Sequence, residues 1–157
     1  MRPYLDKQAP EVWQAASAYA AAVARAAAER GISAQETEFI KVRASQLNGC
    51  TFCLDLHSRQ ARQTGIPQQK LDLLPIWRES GLYSDREAAM LRIVEAATRM
   101  PLDEDAEADL ADARGVLGDE AFTAAEWVAV TINAFNRISI LSGHPVRPRD
   151  ADGKVSS

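Results

Sequence analysis

The stretch SAQETEFIKVRASQLNGCTFCLDLH, residues 33–57, decides the fold. Ser33-Ala34-Gln35-Glu36 has the form of a capping box, in which the serine hydroxyl takes a free backbone N–H of the first turn and the glutamate reaches back to the serine's own. It predicts a helix running toward Leu47, broken by Asn48-Gly49. A further helix begins near Cys50 and ends before Gly65, so the two lie antiparallel across a tight turn.

The same reading extends in both directions. Ala9 to Arg30 is alanine-rich with almost no β-branched residues, and Gly31 follows as a terminator, which predicts one long helix. Pro67 suits the first turn of a short helix. Ser84-Asp85-Arg86-Glu87 repeats the capping box and opens a helix to about Arg99, with Pro101 beyond it. A polar, acidic helix is expected from Asp105 to Val116. Thr123-Ala124-Ala125-Glu126 is expected to open the last helix, which reaches Ser142 before Gly143 and Pro145. Met90, Leu91, Ile93, Val94 and Ala97 form one apolar stripe, and Val128, Ile132, Phe135, Ile138 and Leu141 another; both are expected in the core. No useful length of chain alternates with period two. The expected fold is all-α: one helical bundle over residues 1–143, then a polar tail over 144–157.

Composition narrows the function. A chain of 157 residues is one domain long and large enough for a core of its own. The net charge is -4, and Lys and Arg never cluster without acids between them, which argues against nucleic acid or an anionic membrane as partner. No apolar run approaches the roughly 18 residues of a membrane helix. The first residues lack the apolar core of a signal peptide, so a cytoplasmic protein is expected.

The two cysteines stand three positions apart. A bridge between them closes almost no loop and removes little unfolded-state entropy, so stability is a poor reason for the pair. With Cys50 at the helix start, Cys53 lies one turn on and His57 four residues further, all on one side. The unpaired N–H groups of a helix start favour thiolate over thiol. His57 can take the proton of Cys53, and Glu38, on the preceding helix, can orient and charge that imidazole. Glu36 is the rival acid, but its capping box already accounts for it.

Glu38, followed twelve residues later by Cys-x-x-Cys-x-x-x-His with Asn48-Gly49 just before Cys50, resembles the alkylhydroperoxidase D-like branch of the carboxymuconolactone decarboxylase superfamily. The segment Ile132-Asn133-Ala134-Phe135-Asn136-Arg137-Ile138 resembles that group's closing helix, so the resemblance spans about Glu38 to Ser142. It implies that Cys53 is the peroxidatic nucleophile and that Cys50 condenses with its sulfenic acid to a disulfide. It also implies a Glu38–His57 proton relay, direct or through a water. The implied partners are a small hydroperoxide and an external thiol reductant, with no organic cofactor and no resident metal, in a homo-oligomer (dimer, trimer or hexamer). Phe52 stands where the peroxidase pattern carries a histidine. The decarboxylase branch generally lacks the cysteine pair.

Other readings of the same residues remain open. Cys50 and Cys53 can be plain core residues, or a zinc or redox switch in a binding protein, with His57, Asp55, His144 or Glu38 as further ligands. A decarboxylase-like enzyme acting on a small lactone, with the thiols incidental, is a third. Asn133, Asn136 and Arg137 are candidates to hold the active-site helix. Lys41, Arg43 and His144 are expected at the surface, and Trp13, Trp77 and Trp127 in the core or between subunits.

Overall fold

The computed structural model describes residues 2–155; Met1 and the end of the polar tail, Ser156 and Ser157, lie outside them. The helices run α1 (Leu5–Gln8), α2 (Pro10–Glu29), α3 (Ala34–Asn48), α4 (Thr51–Gln63), α5 (Gln68–Asp72), α6 (Trp77–Ser80), α7 (Asp85–Thr98) and α8 (Glu104–Ser142), with a single 3-10 turn at Leu74–Ile76. Among the described residues there is no strand, only an isolated bridge between Arg149 and Val155. The fold is all-α. No helix among the described residues is long and apolar enough to cross a membrane.

Local signals account for most boundaries. Both capping boxes form: the Ser33 hydroxyl takes the Glu36 N–H at 3.1 Å while Glu36 takes the Ser33 N–H at 2.8 Å, and Ser84 and Glu87 do the same at 3.2 and 2.8 Å. Pro67 is the residue before α5 rather than part of its first turn. The Thr123 expectation is corrected. Helix α8 is two helical runs that meet at a kink at Gly118. The first starts at Glu104, where the Asp103 carboxylate takes the Ala106 N–H at 2.8 Å, and is the acidic helix expected from Asp105 to Val116. Thr123 lies inside the second rather than opening it. Gly118 alone breaks the helical geometry, at φ 74° and ψ 163°, a conformation open to glycine and costly for any other residue. Helical geometry resumes directly after, so no cap is needed at Thr123.

Helices α3, α7 and α8 pack on one another, with α2 laid against α8 and α4 against α3. Val23, Ile40, Ala44, Met90, Ile93, Val94, Val128 and Ile132 join α2, α3, α7 and α8 in one cluster. Phe39, Val42, Ala61, Leu74, Trp77 and Leu91 join α3, α4, α6 and α7 in another. Each large apolar side chain buried this way contributes roughly 1.5–3 kcal/mol. The α7 stripe is core, as expected, but the α8 stripe divides. Val128 and Ile132 are buried, Phe135 and Ile138 line a cavity, and Leu141 is 59% exposed.

Arg43 corrects the expectation of a solvent-facing residue. It is buried, with Nη2 at 2.7 Å and Nε at 2.8 Å from Glu95 Oε1. Trp77 Nε1 and Arg78 Nη2 also donate to Glu95, at 3.0 and 3.2 Å. Burial pushes the Glu95 carboxyl up, but the hydrogen bonds of Trp77 and Arg43 outweigh it and hold the group below its ordinary value. A buried ion pair so fully bonded locks α3, α6 and α7 in one arrangement.

Candidate dithiol site

The site is built at the turn between α3 and α4. Gly49 ends α3 at φ 66°, and the Cys50 N–H reaches back to the Ser45 carbonyl at 3.0 Å. That closure needs the left-handed conformation that glycine supplies. Cys50 is then the residue that caps α4: its sulfur faces the Cys53 N–H at 3.4 Å. The two cysteines, with Cα atoms 5.3 Å apart, form a disulfide, and both are buried.

Asparagines pin this turn to α8. Asn48 Nδ2 donates to Asn133 Oδ1 and to Asn136 Oδ1, each at 2.9 Å. Asn136 Nδ2 passes on to Ser45 Oγ at 3.2 Å, and Asn133 Nδ2 to Thr98 Oγ1 at 2.9 Å. Arg137 Nη1 donates to Asn133 Oδ1 at 3.1 Å. Asn136 has no exposed surface, and buried amides this fully bonded fix position as well as stability.

The acid and the histidine meet directly. His57 Nδ1 lies 3.2 Å from Glu38 Oε2 with no water needed between them. Because a carboxylate only accepts, Nδ1 carries the proton and Nε2 is left as the basic nitrogen. The side chains are 12% and 9% exposed, so solvent screens the pair little. Lys41 Nζ, 3.7 Å from Glu38 Oε1, is half-buried against the same acid rather than out in solvent. Glu36 is engaged elsewhere, paired with Arg86 Nε at 2.8 Å. Burial raises its carboxyl, yet the Arg86 and Ser33 bonds outweigh this and hold it low.

Cys53 and His57 face an apolar cavity of about 450 Å³ walled by Trp13, Val23, Leu56, Ile132 and Phe135, among others. Glu38, Cys50, Cys53 and His57 therefore come together as the spacing predicted. His144 was expected at the surface and is instead half-buried on this cavity. Its Nε2 lies 3.2 Å from Asp6 and its Nδ1 3.2 Å from Ser139 Oγ, and its ring packs edge-on to Tyr4 and tilted on Phe52. No local signal marks Asp6 or Ser139, because their partners are set by the tertiary fold. Among the described residues no group of three or more His, Cys, Asp and Glu side chains is placed to hold a metal ion.

An all-helical bundle carrying a cysteine pair at a helix start, backed by an acid–imidazole pair, is the class that fold and site define. The chain belongs to the carboxymuconolactone decarboxylase family, which residues 10–96 match, and is of its alkylhydroperoxidase D-like type. It is 34% identical over 116 residues to the uncharacterized protein YdfG of Bacillus subtilis (strain 168), covering 74% of this chain and 79% of YdfG. Over 62 residues it is 34% identical to the uncharacterized protein YnjA of Escherichia coli (strain K12), covering 40% of this chain and 34% of YnjA. ATU0492 from Agrobacterium tumefaciens, a protein of unknown function described as a candidate antioxidant defence protein AhpD, has a crystal structure that superposes with a TM-score of 0.78. It is 31% identical, and the match covers 93% of this chain and 99% of that one.

Proposed function

We propose that the protein is a thiol peroxidase that reduces hydroperoxides through a Cys50–Cys53 dithiol/disulfide cycle. The observation that carries this reading is Cys53, at an apolar cavity that it shares with a histidine whose Nδ1 is held by a buried glutamate. In the reduced protein His57 Nε2 takes the Cys53 proton, and the start of α4 favours the resulting thiolate. That sulfur attacks the hydroperoxide: the O–O bond breaks, the sulfur becomes a sulfenic acid, and the departing alkoxide takes the proton back from His57. Cys50 then attacks the sulfenic sulfur, releasing water and closing the disulfide. An external thiol restores both cysteines. Trp127 and Leu141, exposed at 51% and 59% on α8, fit a homo-oligomer that covers them.

The test is thiol counting on reduced protein before and after one equivalent of cumene hydroperoxide. Loss of two thiols as an intramolecular disulfide is expected. Retention of both thiols, or stoichiometric zinc in freshly purified protein, would contradict the reading.

A further inference from the structure

The dithiol cycle has two thiol protons to move, and the Glu38–His57 relay serves one thiol. We propose that Asp6, His144 and Ser139 form a second relay that serves Cys50, taking its proton as its sulfur attacks the Cys53 sulfenic acid. This rests on the peroxidase reading and names the groups of its second step.

The geometry has a direction. The Asp6 carboxylate only accepts, so His144 Nε2, 3.2 Å away, carries the proton of that bond. In the neutral ring Nδ1 is then the acceptor and receives the Ser139 hydroxyl at 3.2 Å. A proton delivered to Ser139 Oγ therefore moves to His144 Nδ1, and Asp6 stabilises the imidazolium that results. Burial alone would raise the Asp6 carboxyl, but the bonds of Lys7 and His144 outweigh it and keep it ionised. Tyr4 and Phe52, with ring centroids 4.8 and 5.3 Å from the imidazole, fix its plane. The Leu5 N–H donates to Ser142 Oγ at 3.0 Å, which docks α1 on the end of α8 and brings Asp6 to the ring.

The position favours Cys50. Ser139 and His144 line a small cavity of about 220 Å³ together with Cys50, and both also line the large cavity that Cys53 faces. Glu38 and His57 line no part of the small one. Asp6, Ser139 and His144 all lie outside residues 10–96, the span that the family pattern matches. The Cys50 thiol proton passes through Ser139 Oγ to His144 Nδ1. The Cys50 sulfur forms the S–S bond as the Cys53 S–O bond breaks, and the leaving hydroxide takes the proton back to become water.

The experiment follows reduced full-chain protein after one equivalent of cumene hydroperoxide, quenched at intervals with dimedone and read by mass spectrometry. In Ser139→Ala and His144→Gln, disulfide closure should slow at least about tenfold relative to Cys53 sulfenic acid formation measured in the same variant, so that the sulfenic acid persists. Ser139→Thr, which keeps the hydroxyl, should restore closure. A merely structural staple would lower melting temperatures without separating the two steps. Closure at the wild-type rate in Ser139→Ala, or equal slowing of both steps, overturns the proposal. Should His144→Gln fail to fold, Ser139→Ala, the loss of one hydroxyl, still decides it. Wild-type protein that forms neither sulfenic acid nor disulfide overturns the peroxidase reading and this relay with it; wild-type closure with unchanged variants overturns the relay alone.

Discussion

Replacing Glu38 by Gln tests the His57 relay without changing the shape of the site. The Glu38 carboxylate and the His57 imidazolium formed during attack stand 3.2 Å apart. At an effective dielectric of about 20, opposite charges at that distance attract by roughly 5 kcal/mol. Lys41, 3.7 Å from the other carboxylate oxygen, repels the same imidazolium and offsets part of this. A net loss of about 2–3 kcal/mol in the variant corresponds to roughly a hundredfold in rate. Glu38→Gln should therefore slow single-turnover thiol oxidation about a hundredfold, with the melting temperature little changed. Glu36→Gln is the control: it removes a cap and a partly exposed pair with Arg86, costing about 1–2 kcal/mol of stability and little rate. Stopped-flow oxidation and thermal melts on both variants check this. A slowing of less than about threefold in Glu38→Gln, or a slow Glu36→Gln, would refute the relay as drawn.

Three further outcomes follow from the packing. Cys53, which faces the large cavity and His57, should be alkylated before Cys50 when reduced protein meets substoichiometric iodoacetamide at neutral pH; peptide mapping reads the order. Asn136→Ala leaves Asn48 and Ser45 short of a buried partner, and should cost about 2–3 kcal/mol in urea unfolding as well as slowing oxidation. Glu95, held below its ordinary 4.5, contributes stability that is fully present above that pH and is lost as pH falls through the lower folded value. Melting temperature should thus fall in acid for the wild type, and fall less steeply for a Glu95→Gln variant that is already destabilised at neutral pH.

What the sequence revealed follows from the range of the interactions. The Ser33 and Ser84 boxes close within one turn, so residue types at fixed offsets were enough. Glu38 and His57 are 19 residues apart but sit on helices joined by a tight turn, which keeps their offset readable. Thr123 misled because a capping pattern is also an acceptable helix interior, and the break was set by Gly118 instead. Arg43 and His144 read as surface residues because the acids that bury them, Glu95 and Asp6, are 52 and 138 residues away. The lower α8 stripe read as core because a cavity wall and a packed interior have the same apolar periodicity.

The central claim is that Cys53 is the sulfur that meets the hydroperoxide. Reduced Cys50→Ser protein, given excess cumene hydroperoxide with dimedone present, tests it most directly. The account predicts that one equivalent of hydroperoxide is consumed and that the dimedone adduct maps to Cys53, while Cys53→Ser consumes none. Steady turnover in Cys50→Ser, or consumption in Cys53→Ser with an adduct on Cys50, would contradict it.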